Sequence, residues 1–299
     1  MSPPPPDRRV SVIIPARAAA AAVQHAVRSA LDQTDPAVDE VVVAAADAAT
    51  ARAAASVTDP RVRVIDNPEG STPAGLNLAL DATSGSFVVR CDAHAVLPPG
   101  YVQMALETLE NPTVVNVGGR QVPRGEGTFE RAVAMAMSSP LGSGDARYRI
   151  GGPPGPVDTV YLGVFRRSAL EAVGGFDRTL ERNQDYELNW RLREAGGLVW
   201  FDPRLEVEYR PRTTPSGLWR QFFEYGRWKR VVLRRHPGSL RLRQLASPAL
   251  VAGLCLSAVL LATRHRSGLV VPAVYAAVTG GAGAYDLLKT GDVAATLEP

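Results

Sequence analysis

Val10-Ser11-Val12-Ile13-Ile14-Pro15-Ala16-Arg17 is apolar at Val10, Val12, Ile13 and Ile14 and is interrupted by Pro15. Such a run reads as a buried β-strand that ends near the proline. Downstream, Ala16 to Ala30 is alanine-rich and reads as a helix, and Glu40 to Ala44 as a second strand. Arg61 to Ile65 gives a third strand. Thr72 to Ala82 gives a helix with Pro73 in its first turn, where a missing amide hydrogen costs little. Phe87 to Arg90 is a fourth strand, Tyr101 to Leu109 a helix, and Val114 to Val117 a further strand. Strands alternating with helices predict an α/β fold with a mostly parallel central sheet covered on both faces. Arg124 to Asp158, rich in Gly, Pro and charge, reads as a long surface loop or lid interrupted by the helical stretch Phe129 to Met137.

The chain of 299 residues is 45% hydrophobic, enough for a substantial core, which argues against intrinsic disorder. Its two cysteines, Cys91 and Cys255, are too few and too distant for a zinc site or disulfide framework. A net charge of +3 does not suggest nucleic acid, but its distribution is uneven. Eight basic residues and one acid, Glu224, lie between Arg220 and Arg243, followed by the uncharged run Leu245 to Thr263. Gly268 to Leu288 then carries only Asp286. Each run is long enough to cross an apolar layer of about 30 Å. The expected organisation is a Pro-rich tail over 1–8, a globular domain over 9–240, and a membrane-associated apolar helical hairpin and tail over 241–299. A buried or surface-lying hairpin is the plainer alternative. The start MSPPPPDRRV lacks the apolar stretch of a secretory signal. The dense basic run before the hairpin places the globular domain on the cytoplasmic side of a cell membrane.

Parallel sheets bind ligands at the carboxyl ends of their strands. That rule directs attention to Pro15 to Arg17, the segment after Ala44, and Cys91 to His94. Neither the GxGxxG fingerprint nor the GxxxxGK[ST] phosphate loop is present. Asp92 and His94 together could hold a divalent cation, or Asp92 could simply cap the following turn. In Asn183 to Arg193, Leu188 and Leu192 mark an amphipathic helix with Asp185 near its start. A carboxylate there could accept a proton from an attacking hydroxyl, or merely cap the helix. Gln221 to Lys229 mixes aromatics with Arg227, Trp228 and Lys229, suited to a phosphate clamp, a sugar platform or an interfacial helix.

These landmarks resemble family 2 glycosyltransferases of the GT-A fold, and among them the ExoA-like group of succinoglycan biosynthesis. The resemblance runs through VSVIIPAR at Val10 to Arg17, NPEGSTPAGLNLAL at Asn67 to Leu80, VVRCDAHA at Val88 to Ala95, and VNVGG at Val115 to Gly119. It continues through GVFRRSALEAVGGFD at Gly163 to Asp177, NQDYELNWRLREAGG at Asn183 to Gly197, and QFFEYGRWKR at Gln221 to Arg230. It implies that Asp92 is the first acid of the DxD motif, contacting sugar nucleotide and metal, with His94 at the motif's last position. It further implies Asp185 as catalytic base, and Gln221, Arg227 and Trp228 as a longer-spaced form of the QxxRW motif, Arg227 toward the donor diphosphate and Gln221 and Trp228 toward the acceptor. Pro15 and Arg17 are then expected in the donor site, and Gly118 and Gly119 are expected to approach the donor or acceptor sugar, although a plain turn explains these glycines equally well.

Two departures stand out. Ala18 and Ala19 replace the family's usual Asn-Glu, and in Val43 to Thr50 alanines stand where the usual uracil-binding Asp and its glycines would sit, leaving Asp47 as a shifted substitute. The implied activity is inverting transfer of a hexosyl group, glucose from UDP-glucose, to a polyprenyl-diphosphate-linked saccharide, with Mg²⁺ or Mn²⁺ as cofactor. Membrane lipid and polysaccharide-assembly proteins are the implied partners, and nucleic acid is not. The competing expectation is an inactive member that binds a glycan or an assembly partner. A peripheral anionic-lipid-binding protein is the third.

Overall fold

The computed structural model describes residues 8–34 and 38–290. The tail residues Met1 to Asp7, and 291–299 at the other end, lie outside the described residues. The strands are β1 (Val10–Ala16), β2 (Glu40–Ala45), β3 (Val62–Asp66), β4 (Phe87–Arg90), β5 (Val114–Pro123), β6 (Gly155–Pro156), β7 (Tyr161–Arg166) and β8 (Leu198–Tyr209). The helices of the globular part are α1 (Val23–Leu31), α2 (Ala48–Ala55), α3 (Thr72–Asp81), α4 (Tyr101–Thr108), α5 (Thr128–Ser138), α6 (Pro140–Ser143), α7 (Arg147–Ile150), α8 (Arg167–Ala172), α9 (Gln184–Glu194) and α10 (Pro215–Arg235). Two more, α11 (Ala246–Ala262) and α12 (Val270–Thr290), follow.

All eight strands join one sheet in the order β3-β2-β1-β4-β7-β5-β8-β6. β1, β2, β3 and β4 are mutually parallel, as are β5 and β8, while β7 runs against both β4 and β5. Val10, Val12, Ile13 and Ile14 are all fully buried because β1 is covered on both faces, which is why its apolar residues run on rather than alternate. Val12 and Ile14 pack with Tyr101, Val102 and Leu106 on one face. Ile13 packs with Leu76, Phe165 and Leu188 on the other. α3 begins where Ser71 Oγ accepts the Ala74 amide at 3.3 Å. Gly75 lets α3 settle on the sheet, since a methyl there would come within 3.4 Å of the Pro15 side chain and 2.8 Å of Asn67 Nδ2.

Three sequence expectations change. α1 starts at Val23 rather than Ala16, because Ala18 adopts a left-handed φ of 50° that interrupts a helix. β5 extends to Pro123, paired along β8. The expected helical stretch Phe129 to Met137 is α5, but the rest of Arg124 to Asp158 also holds α6, α7 and the edge strand β6 where only loop was expected.

Beyond the sheet, Thr214 Oγ1 accepts the Gly217 amide at 3.2 Å and, with Pro215, starts α10. α11 and α12 touch, with Gly253 against Val271 and the connecting Gly268 against Ser257 and Leu261. The hairpin therefore forms, but among the described residues Leu242–Ala262 is the one helical segment long and apolar enough to cross a membrane. The expected second span becomes α12, whose Gly280, Gly281 and Gly283 and numerous alanines dilute its apolar character.

Candidate active site

β4 ends on Arg90, a residue buried at 6% exposure where its neighbours are apolar. Its Nε and Nη2 donate to Asp92 Oδ1 at 3.0 and 2.9 Å. Its Nη1 pairs with Asp185 Oδ1. One guanidinium therefore gathers two acids that lie far apart in the sequence. Asp92 does not cap the next turn with its side chain. Its carbonyl accepts the Ala95 amide at 2.8 Å, and this turn leaves His94 exposed. Asp185 is not the cap of α9 either, since Asn183 holds that position with a left-handed φ of 61°. Asp185 lies in the first turn, where the helix dipole favours an anion.

α9 is pinned by buried polar contacts. Glu187 receives Arg191 Nε and Nη2 at 2.7 and 2.8 Å and contacts His236 Nε2 at 3.0 Å. Arg191 also donates to the Gly175 carbonyl at 2.8 Å. Asn189 donates to Thr159 Oγ1 at 3.0 Å and accepts from Asn116 Nδ2 at 2.7 Å, docking the helix on β5. Asn183 Nδ2 donates to the Tyr225 carbonyl at 3.1 Å, which brings the middle of α10 to the start of α9. Arg90 and Glu187 were missed by the sequence reading. A signal existed for Arg90, a charged residue closing an otherwise apolar strand two positions before an acid.

At the ends of β1 and β2, Pro15 is half-buried and Arg17 exposed, its Nη1 3.5 Å from the Gly70 carbonyl oxygen. Asp47 caps α2: Oδ1 accepts the Thr50 amide at 2.9 Å, and Oδ2 accepts the Thr50 hydroxyl and the Ala18 amide, each at 2.8 Å. These bonds from Thr50 and Ala18 lower its pKa. Asp47 thus holds the loop after β1 in place, and the left-handed Ala18 occupies a conformation that asparagine tolerates better than alanine. Ala45 is buried at 4% exposure, and its side chain offers no acceptor.

Gly118 and Gly119 lie inside the sheet. Both are buried in β5, where a register shift lies. A methyl on Gly118 would come within 2.6 Å of the Tyr161 carbonyl oxygen, and one on Gly119 would collide with Leu205. The crowding by the neighbouring strands is sufficient by itself to require glycine at both positions. Gln221 Nε2 donates to Tyr209 and Tyr225 hydroxyls at 3.1 and 2.8 Å, anchoring α10 to β8. Arg227 is exposed, 3.8 Å from Glu224 and 5.7 Å from the Trp228 ring centroid. Trp228 is half-buried, with Nε1 lacking a hydrogen-bond partner among the described residues. Cys91 is fully buried, and burial pushes its thiol pKa up, so it is no nucleophile.

No cluster of three or more His, Cys, Asp or Glu suited to a metal occurs among the described residues. Asp92 nevertheless keeps Oδ2 clear of Arg90, and His94 is exposed in the same turn. A carboxylate oxygen and an imidazole suit Mg²⁺ or Mn²⁺ if the ligand supplies the remaining oxygens.

The family model for glycosyl transferase family 2 matches residues 11–174, a stretch that includes all of β1 but Val10, together with β4 and the Asp92 turn. The chain belongs to glycosyltransferase family 2. Among curated members it is 32% identical over 229 residues to the succinoglycan biosynthesis protein ExoA of Rhizobium meliloti, covering 76% of this chain and 69% of that protein. It is 30% identical over 204 residues to the pre-mycofactocin glycosyltransferase of Mycobacterium tuberculosis, covering 66% of this chain but 42% of that protein. A mannosyltransferase from Pyrobaculum calidifontis, solved with GDP-Man and Mn²⁺, superposes with a TM-score of 0.59 at 21% identity, covering 97% of this chain and 81% of that one. TarS of S. aureus, solved with UDP-GlcNAc, gives a TM-score of 0.54 at 15% identity, covering 69% of this chain and 59% of that one. The fold of this family 2 glycosyltransferase is therefore GT-A, with a mixed, mostly parallel sheet.

Proposed function

We propose that the chain transfers a hexosyl group from a nucleoside diphosphate sugar to a hydroxyl of a lipid-linked saccharide, with inversion, in the synthesis of an exopolysaccharide or cell-envelope glycan. The observation that carries this reading is the convergence of Asp92 and Asp185 on Arg90 at the carboxyl end of β4. Asp185 accepts the acceptor's hydroxyl proton as its oxygen attacks the anomeric carbon. The bond from that carbon to the diphosphate oxygen breaks on the opposite side, and the electron pair leaves with the diphosphate. No covalent enzyme intermediate forms. Asp92 and His94 would hold Mg²⁺ or Mn²⁺, which supplies charge neutralisation to the leaving diphosphate. Arg227 reinforces that neutralisation, and Trp228 offers a ring face to a sugar.

The family relationship to the succinoglycan biosynthesis protein ExoA supports exopolysaccharide synthesis. The GDP-Man and UDP-GlcNAc bound by the two structural neighbours support a nucleoside diphosphate sugar more generally. Membrane association is supported by Leu242–Ala262 and by α10, where Trp219, Phe222 and Phe223 are 76%, 54% and 61% exposed. Aromatics exposed among basic residues suit a bilayer surface that carries the acceptor. Residues 9–240 form the catalytic domain on the cytoplasmic side, and 241–299 the membrane-associated part.

Asp47's engagement in capping and the non-polar Ala45 favour the inactive alternative at the base pocket. A panel of nucleotide sugars with Mn²⁺, membrane lipid extract and the full chain separates the two. Nucleoside diphosphate release coupled to a glycosylated lipid supports transfer, and saturable donor binding with no product from any donor supports the inactive reading.

A further inference from the structure

The two oxygens of Asp92 are unequal. Oδ1 accepts two N–H groups of Arg90, at 3.0 and 2.9 Å, whereas Oδ2 takes no hydrogen bond among the described residues. The Arg90 side chain is 7% exposed, so water screens its charge poorly. Its remaining Nη1 is engaged by Asp185, which fixes the guanidinium between the two acids. A divalent ion approaching Oδ2 therefore meets a fixed positive charge a few ångströms away, and like charges there weaken its binding. The protein also offers too few ligands by itself, since no cluster of three or more suitable side chains exists among the described residues. Mg²⁺ and related ions take about six oxygens, several of them commonly from water or substrate phosphate.

Both facts point the same way. We propose that Arg90 is a built-in counter-cation that keeps a bare divalent ion off Asp92 and admits the ion only together with a nucleoside diphosphate. The inference rests on the reading of Asp92 and His94 as the donor site. The diphosphate brings the missing oxygens and enough negative charge to offset Arg90. In the absence of donor, Arg90 holds Asp92 and Asp185 in register with each other.

Binding of Mn²⁺ to the full chain in detergent, followed by the electron paramagnetic resonance of free Mn²⁺, tests this without turnover. Wild-type protein is expected to bind Mn²⁺ at least about tenfold more weakly alone than with UDP or GDP present. Arg90→Gln is expected to bind Mn²⁺ alone at least about tenfold more tightly than wild type, and Arg90→Lys to resemble wild type. A merely structural role for Arg90 would loosen metal binding in the Gln variant instead. Should Arg90→Gln fail to fold, Arg90→Met, which keeps an unbranched side chain without the charge, carries the same expectation. Unchanged or weaker Mn²⁺ binding in the folded Gln or Met variant would overturn the inference. If wild type binds Mn²⁺ neither alone nor with either nucleotide, the donor-site reading itself falls, and this inference with it.

Discussion

Arg90, the last residue of β4, forms an ion pair with Asp185 in the first turn of α9 while also donating two hydrogen bonds to Asp92. The strand and the helix are thereby joined by a group that both proposed acids depend on. Lysine carries the charge but lacks the planar fork that can serve two carboxylates at once. Arg90→Lys is expected to lower kcat by about tenfold and Arg90→Gln by at least about a hundredfold. Steady-state rates with saturating donor check this, and equal rates in both variants would remove Arg90 from a positioning role.

Glu187 is buried, its side chain 3% exposed, and it is the common partner of Arg191 and His236. Removing its charge leaves Arg191 half-matched inside the domain. Glu187→Gln is expected to cost about 3 kcal/mol of stability. Urea denaturation measures it, and a loss below about 0.5 kcal/mol would show that the pair holds α9 only weakly.

The glycines of β5 and α10 should behave oppositely. Gly119→Ala forces a methyl into Leu205 of β8 and is expected to destabilise by about 3 kcal/mol or prevent folding. Gly226, inside α10, has open space around it, so Gly226→Ala is expected to stabilise by roughly 0.5–1 kcal/mol. Thermal melts of the two variants check both signs.

Lys229 lies 3.4 Å from the centroid of the Tyr186 ring. Burial pulls its pKa down to about 7, with Arg243 and Arg241 acting in the same direction and Asp158 opposing. Between that value and the ordinary lysine value of about 10.4, the unfolded chain binds more protons than the folded one. The contribution of Lys229 therefore becomes more favourable to folding as pH rises through this window, and is least favourable below pH about 7. Lys229→Met is expected to raise the urea midpoint most in mildly acidic solution, with the gain shrinking in alkali. A gain that grows with pH would contradict the sign.

The parallel half of the sheet was legible because β1, β2 and β4 are continuous apolar runs and α3 carries its own Ser71 and Pro73 start signals. The start of α1 was not, because an alanine run reads as helix from local preference alone. Its true boundary is set by hydrogen bonds from the Ala18 and Ala19 amides to Asp47 and Thr50 across the chain. Gly118 and Gly119 are singled out by the family resemblance, whereas the residues that crowd them, Tyr161 and Leu205, are remote in sequence. Asp92 and Asp185 could each be singled out, whereas the guanidinium that unites them belongs to a contact only the folded chain makes.

The central assignment is Asp185 as the base, and the most direct measurement pairs calorimetric donor binding with product formation in Asp185→Asn, using the donor that supports turnover. Binding is expected to stay within about threefold of wild type while transfer falls by at least about a hundredfold. An Asp185→Asn enzyme that transfers sugar at the wild-type rate would contradict it.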